Sequence, residues 1–162
     1  REFCTFNTGT VQDRVVREDV SGTLDFYYRI FVDAPSAGSI GIATRQSYLG
    51  YSTDVDYRTD GLGTVGAGGV SRPTDPDVWF SFMTSLIGPG QESLFFFIKT
   101  DATAYNDQGK GSLVGLNSFG GFGVTSFSTF QPLVVPLPPA VWLFGAGLLG
   151  LVSVACKKHR GA

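Results

Sequence analysis

Histidine is almost absent from this sequence: among 162 residues the single one is His159, near the C-terminus. A serine or cysteine nucleophile needs a positioned base, often histidine, and many zinc sites use histidine ligands. His159 stands inside a short basic cluster that ends the chain. This scarcity argues against a Ser-His or Cys-His enzyme, and against a histidine-based zinc site, in the main body of the protein.

Cysteine and charge are also scarce. The two cysteines, Cys4 and Cys156, lie at opposite ends of the chain, so we do not expect a disulfide framework. Charged residues make up 16% of the sequence, the formal net charge is −2, and the basic residues before the C-terminal tail are scattered. A nucleic-acid-binding protein usually has a basic face, so the composition gives no support for a nucleic acid partner.

One long hydrophobic run stands out, at residues 140–156, which carry no charge. As a helix it would be about 25 Å long, the short end of what crosses a bilayer core. Lys157, Lys158 and Arg160 follow it directly, and such basic residues remain on the cytoplasmic side. We therefore expect a single C-terminal transmembrane helix, with the main body outside. The alternative is a buried helix of a soluble domain, which would seldom lack every charge.

The tail also resembles a known family. Val135, Pro136, Leu137 and Pro138, then the run "AVWLFGAGLLGLVSVA", then "KKHR", are similar to the PEP-CTERM sorting signal of Gram-negative bacteria. The family's Pro-Glu-Pro is replaced here by Pro136-Leu137-Pro138. The resemblance implies Sec export, a transient inner-membrane anchor, and recognition by an exosortase, a membrane-embedded cysteine protease or transpeptidase. The implied destination is the cell surface or the extracellular polysaccharide matrix.

The N-terminal residues 1–19 alternate polar and apolar side chains and contain no hydrophobic signal segment. Export would need such a signal, so we expect one that was removed or that lies before Arg1. The chain then divides into an exported domain at 1–131, a proline-rich motif and linker at 132–139, the membrane helix at 140–156 and a basic cytoplasmic tail at 157–162.

The exported domain has the period-two pattern of β-strands. Its strongest example places five apolar side chains on one face: Leu24, Phe26, Tyr28, Ile30 and Val32. Further strands are predicted at 40–48, around Val55 and Tyr57, at 78–82, at 94–100 as a central strand covered on both faces, and at 122–130. Residues 61–69 are glycine-rich and predict a flexible loop. Together these patterns predict an all-β fold, an antiparallel β-sandwich of jelly-roll or immunoglobulin-like type.

Two kinds of chemistry are conceivable in this domain. Asp54, Asp56 and Asp60 have part of the spacing of a calcium loop, although Arg58 occupies a ligand position and a closing glutamate is missing. A solvated turn beside a strand is the simpler explanation. Glycoside hydrolysis needs two opposed carboxylates, and no spacing in the sequence selects such a pair.

We therefore expect a non-enzymatic, exported protein without a cofactor, with a structural or adhesive role at the cell surface or in a biofilm matrix. The first alternative is a carbohydrate-binding module. In that case Tyr48 and Tyr51, beside a glycine turn, are the candidate contacts for extracellular polysaccharide, since aromatic rings offer apolar faces; ordinary packing is the competing explanation. The second alternative is a secreted hydrolase.

Overall fold

The computed structural model describes residues 2–4, 7–72, 77–117 and 119–133. Ten strands make up the secondary structure of this part: β1 (Glu2–Cys4), β2 (Thr8–Arg17), β3 (Leu24–Val32), β4 (Gly38–Arg45), β5 (Thr53–Tyr57), β6 (Gly69–Ser71), β7 (Val78–Ser81), β8 (Phe96–Thr100), β9 (Tyr105–Asn117) and β10 (Phe122–Pro132). Within these ranges no helix has the length and apolar character to span a membrane. The predicted sorting motif, membrane helix and basic tail lie outside the described residues.

The strands form two antiparallel sheets. Sheet A has the order β1-β2-β3-β8-β5, and sheet B has the order β10-β9-β4-β7-β6. Buried apolar side chains from both sheets join in one core, so the sheets pack face to face. The predicted all-β, sandwich-like architecture is confirmed at this level.

Strand β3 shows why the sequence pattern was informative. Its alternation places Leu24, Phe26 and Ile30 on the inner face, and all three are almost completely buried. The opposing layer comes from Phe80 on β7 and Leu113 on β9. A half-buried sheet requires alternate side chains to face the core, so the predicted face and the observed face coincide.

Strand β8 is buried on both faces, as predicted, but it is not the central strand, and no second layer of described residues covers its outer side. It lies between β3 and the edge strand β5. On the outer face Phe97 stacks on Tyr27, with ring centroids 4.6 Å apart. Just before β8, the Arg14 guanidinium lies 4.2 Å from the Phe95 ring centroid. Side chains of the same sheet therefore bury these rings.

Strand β4 departs from simple alternation. The register with β9 shifts between Ile40 and Ile42, which is a β-bulge, so Ile40 is buried in the core while Ile42 pairs with Val114 on the opposite face. Position 41 is a glycine because a Cβ there would lie 2.5 Å from the Leu116 side chain and 2.7 Å from the Met83 sulfur. The bulge also fixes the direction of Arg45, which points inward.

The glycine-rich segment 61–69 is held in place rather than free. The Val65 side chain is buried in the core, and its backbone N–H donates to the Glu92 carbonyl at 3.1 Å. In return the Leu94 N–H donates to the Val65 carbonyl at 2.8 Å. The expectation of a flexible loop is wrong at Val65, because this residue is buried and ties the segment to the chain before β8.

Candidate functional site

The three aspartates considered for calcium do not converge. Asp54 and Asp56 lie on the outer face of β5, and each accepts a hydrogen bond from the backbone N–H that follows it, at 2.9 and 2.8 Å. Asp60 forms an ion pair with Arg58 at 2.5 Å. Among the described residues no group of three His, Cys, Asp or Glu side chains is placed to hold a metal ion. The structure therefore gives the calcium alternative no support.

The two tyrosines considered for glycan contact have different positions. Tyr48 is fully buried, and its hydroxyl is 2.8 Å from the Tyr28 hydroxyl, so the expectation that it is exposed is wrong. The glycine turn beside it exposes Leu49 and directs the tyrosine inward. Tyr51 is half-buried and lines a shallow depression of about 260 Å³ together with Asp101.

A charged side chain lies at the centre of the core. Arg45 is completely buried, and its guanidinium carbon is 3.8 Å from the Tyr28 ring centroid and 4.9 Å from that of Phe127. Its Nη1 donates to the Thr44 carbonyl at 2.9 Å. Burial lowers the pKa of Arg45, because the charged form loses its hydration. Gly111 provides the room, since a Cβ there would be 2.6 Å from Arg45 Nη1.

The same cluster shifts the acidity of the two tyrosines. Burial raises the pKa of Tyr28 and raises that of Tyr48 well above its usual value. The nearby Arg45 charge acts in the opposite direction on both, because it favours the tyrosinate. The hydroxyl pair is enclosed in the core, so this centre has a role in packing rather than in contact with a ligand.

A groove lies between the edge strands β5 and β6. It consists of two adjoining depressions, of about 340 and 360 Å³, which share Val55 and Val70. Phe80 and Phe96 also line the depression of about 340 Å³, and Asp56 is the one carboxylate among its described lining residues. Arg72 crosses one end, donating to Thr53 Oγ1 at 2.9 Å and to the Tyr48 carbonyl at 2.8 Å.

The outer face of sheet A is rich in charges that sit beside aromatic rings. Arg29 forms an ion pair with Glu92 at 2.6 Å and lies 4.7 Å from the Phe31 ring centroid. Lys99 is opposite Asp25 on one neighbouring strand and opposite Asp54 on the other. These pairings alternate in sign, so cationic and anionic groups offset one another across the face.

The outer face of sheet B has the opposite character, and we call it the neutral face. Of the residues in its five described strands, only Arg45, Asp107 and Lys110 are charged. Arg45 points inward, and the other two lie in the first half of β9. The strand register aligns one row of neutral side chains across the whole sheet: Ser71, Trp79, Thr44, Ser112 and Ser126.

The next row on the neutral face is mostly apolar. It runs through Ser81, Ile42, Val114 and Val124. Beyond it, Leu116 pairs with Phe122, and Met83 and Leu86 approach Leu116 over Gly41. Phe122 is 67% exposed, Val124 61% and Met83 51%. We call this region, at the Phe122 end of β10, the apolar corner; it consists of Phe122, Val124, Met83, Leu86 and Leu116.

Sequence reasoning missed both features that the fold assembles, Arg45 and the neutral face. An isolated arginine after an apolar strand reads as a surface residue, and only the bulge in β4 turns it inward. The neutral face did leave a signal, because β7 ("VWFS") and β10 ("FGVTSFSTFQP") contain no charge. Comparison of the chain with protein-family models and with curated proteins finds no match to either.

Proposed function

We propose that this chain is an exported protein that an exosortase sorts to the cell surface or extracellular matrix, where it has a structural or adhesive role and no catalytic one. The observation that carries the proposal is the sequence of the tail: a Pro136-Leu137-Pro138 motif, an uncharged run at 140–156, then Lys157, Lys158 and Arg160. A processing enzyme needs an extended segment, and prolines keep a helix from continuing through it.

The position of the last strand supports this division of the chain. β10 ends at Pro132, and the Leu133 N–H donates to the Ala104 carbonyl at 2.9 Å. Within the described residues, the last such contact of the β domain thus comes two positions before Val135, where the proposed motif begins. In this proposal the tail continues as a single transmembrane helix, which holds the domain at the inner membrane until it is processed.

Of the two sandwich topologies, we propose the jelly roll. β3 pairs with β8 in sheet A while β4 pairs with β7 in sheet B. The ribbon β3–β4 therefore runs beside the ribbon β7–β8 through both sheets, which is how a jelly roll is wound. β5 and β6 then extend the two sheets on the same side.

The structural role is preferred to the hydrolase because the groove between β5 and β6, in the part that the structure describes, is lined by a single carboxylate, Asp56. Glycoside hydrolysis commonly uses two carboxylates about 5–10 Å apart. The glycan-binding module is weakened by the burial of Tyr48, which removes one of its two proposed ring contacts.

The test is the intact mass of the protein released from the cell surface. We expect a mass that corresponds to a new C-terminus near Pro138, with or without an added glycan or lipid. A control strain without the exosortase should retain the full-length chain in its inner membrane. Surface protein whose mass still includes residues 140–162 would contradict the proposal.

A further inference from the structure

We propose that the neutral face is a self-association surface, through which two copies of this chain pack face to face. The inference deepens the proposed structural role and rests on it for its biological meaning. The partner that binds this surface is a second copy of the chain. It depends on the side chains that sheet B directs outward and on the place where the chain leaves the domain.

The apolar corner is larger than scattered surface hydrophobes would produce. Phe122, Val124 and Met83 are each more than half exposed, and Leu86 and Leu116 adjoin them. Together they expose apolar surface on the order of several hundred Å², the size at which such patches mark interaction sites. A second surface of similar chemistry would remove this area from water.

The chemistry of the corner fits a protein better than a polysaccharide. Glycan-binding faces depend on aromatic rings that stack on sugars. In the row that crosses all five strands, Trp79 is the one ring, at 38% exposure, and its neighbours Ser71 and Thr44 are small. The apolar corner adds one ring, Phe122, at 67% exposure, beside the aliphatic side chains of Val114 and Val124, and aliphatic side chains interlock well with the same kind of surface.

The scarcity of charge makes the neutral face compatible with its own copy. In a two-fold dimer most residues meet a different residue of the copy, so a charge on the packed face must find a partner of opposite sign or it opposes association. Among the described residues around the Val124 row the neutral face has no charged side chain, and Lys110 lies toward the other end of β9. Sheet A, by contrast, would have to bury Arg14, Arg29 and Lys99 or pair each of them with a carboxylate of the copy. Of the two outer faces, that of sheet B packs against its copy with fewer charges to remove from water.

The size of the neutral face also fits. Five strands at about 4.8 Å spacing give a width of about 24 Å, and the eight residues of β4 span about 27 Å. The product, on the order of 650 Å² in projection, is close to the roughly 800 Å² per partner of a standard interface. Two such sheets would pack about 10 Å apart.

The exit of the chain is compatible with a pair of copies on one membrane. β10 runs eleven residues from Phe122 to Pro132, so the apolar corner is about 35 Å from Leu133. A two-fold axis along the strands would put both Leu133 residues at the same end. Both tails could then enter the same bilayer while the apolar corners meet at the far end.

The test compares two matched substitutions in the full-length chain, purified in detergent micelles and studied by sedimentation equilibrium over a concentration series. Val124→Lys places a charge on the neutral face, and Val16→Lys does the same on the outer face of sheet A, where Val16 is 41% exposed. Both keep the tail unchanged, so association through the tail would affect them equally.

We expect the wild type and Val16→Lys to dimerise alike. Val124→Lys should raise the dimer dissociation constant by about 100-fold, because each dimer would have to bury two lysine charges. Ser126→Lys, on the neighbouring row, should weaken the dimer in the same direction and guards against a folding defect specific to position 124. Circular dichroism should show unchanged strand content in all variants.

Three outcomes would overturn the inference: a monomeric wild type, equal dimerisation of Val124→Lys and Val16→Lys, or a monomer that binds insoluble β-glucan and loses that binding in Val124→Lys. The last would assign the neutral face to a polysaccharide. Failure here is separate from failure of the proposed sorting, because the mass of surface-released protein reports on the tail and sedimentation reports on the neutral face.

Discussion

At the scale of single residues, the core encloses one arginine side chain, that of Arg45. Arg45 is buried between Tyr28 and Phe127, where ring faces replace part of the hydration that the guanidinium loses. A flat, weakly hydrated cation suits such a place better than lysine would. Beside it, the hydroxyls of Tyr28 and Tyr48 form a hydrogen bond with each other at 2.8 Å.

Titration of these tyrosines predicts how stability depends on pH. Burial raises the pKa of Tyr28 and Tyr48 in the folded protein, whereas both ionise near pH 10 when unfolded. Their contribution to the free energy of unfolding is therefore complete below about pH 10 and is lost as the pH rises toward the folded pKa. Each tyrosine can contribute a slope of up to about 1.4 kcal/mol per pH unit.

Tyr48→Phe tests this reasoning. Chemical denaturation between about pH 9 and 11 should show a shallower loss of stability than in the wild type, because one of the two ionising groups is gone. Tyr105→Phe, which replaces an exposed tyrosine, should leave the slope unchanged. Equal slopes in the wild type and Tyr48→Phe would mean that Tyr48 does not couple ionisation to folding.

At the scale of elements, the glycine-rich segment 61–69 offers a matched pair. Gly61 and Gly63 both have φ of +84°, a conformation that side chains with a Cβ adopt at a cost. At Gly61 a Cβ would meet open space, but at Gly63 it would lie 2.1 Å from the Ser93 carbonyl oxygen. Only the second position is packed against backbone.

We therefore predict different costs for the same substitution. Gly61→Ala should lower the free energy of unfolding by about 1–2 kcal/mol, the cost of the left-handed conformation alone. Gly63→Ala should lower it by more than about 3 kcal/mol, because the clash with Ser93 is added and backbone cannot easily move. Denaturation of both variants measures the difference; similar losses would show that segment 61–69 is not fixed against the chain before β8.

The elements also show what the sequence could and could not predict. β3 and β10 were predictable because their alternation matches one buried and one open face. β2 and β9 were not singled out: the half-buried Asp13 occupies an inward position of β2, and β9 places glycine at inward positions 109, 111 and 115. The neutral face left only a partial signal, the absence of charge in β7 and β10, because the lateral order of strands that brings them into one sheet is not encoded by alternation.

At the scale of the whole molecule, charge is segregated. Sheet A carries alternating charges beside aromatic rings, and sheet B carries almost none in its described strands. Charged side chains and ion pairs keep the first face hydrated, whereas the described strands of the second lack most of the charges that oppose edge and face association. In the proposed matrix role, the first face would meet water and the second would meet a neighbouring copy.

The proposed sorting depends on the last residues of the chain, and that gives a test in cells. Deletion of residues 157–160 removes Lys157, Lys158 and Arg160, which by the positive-inside rule hold the end of the predicted helix in the cytoplasm. We expect the deleted chain to be lost from the cell surface, as measured by protease accessibility on intact cells. Replacing Lys157 and Lys158 by arginine preserves the charge and should preserve display. If the deletion variant reaches the surface as efficiently as this control, the basic cluster has no part in sorting, and the resemblance of the tail to a sorting signal loses its physical basis.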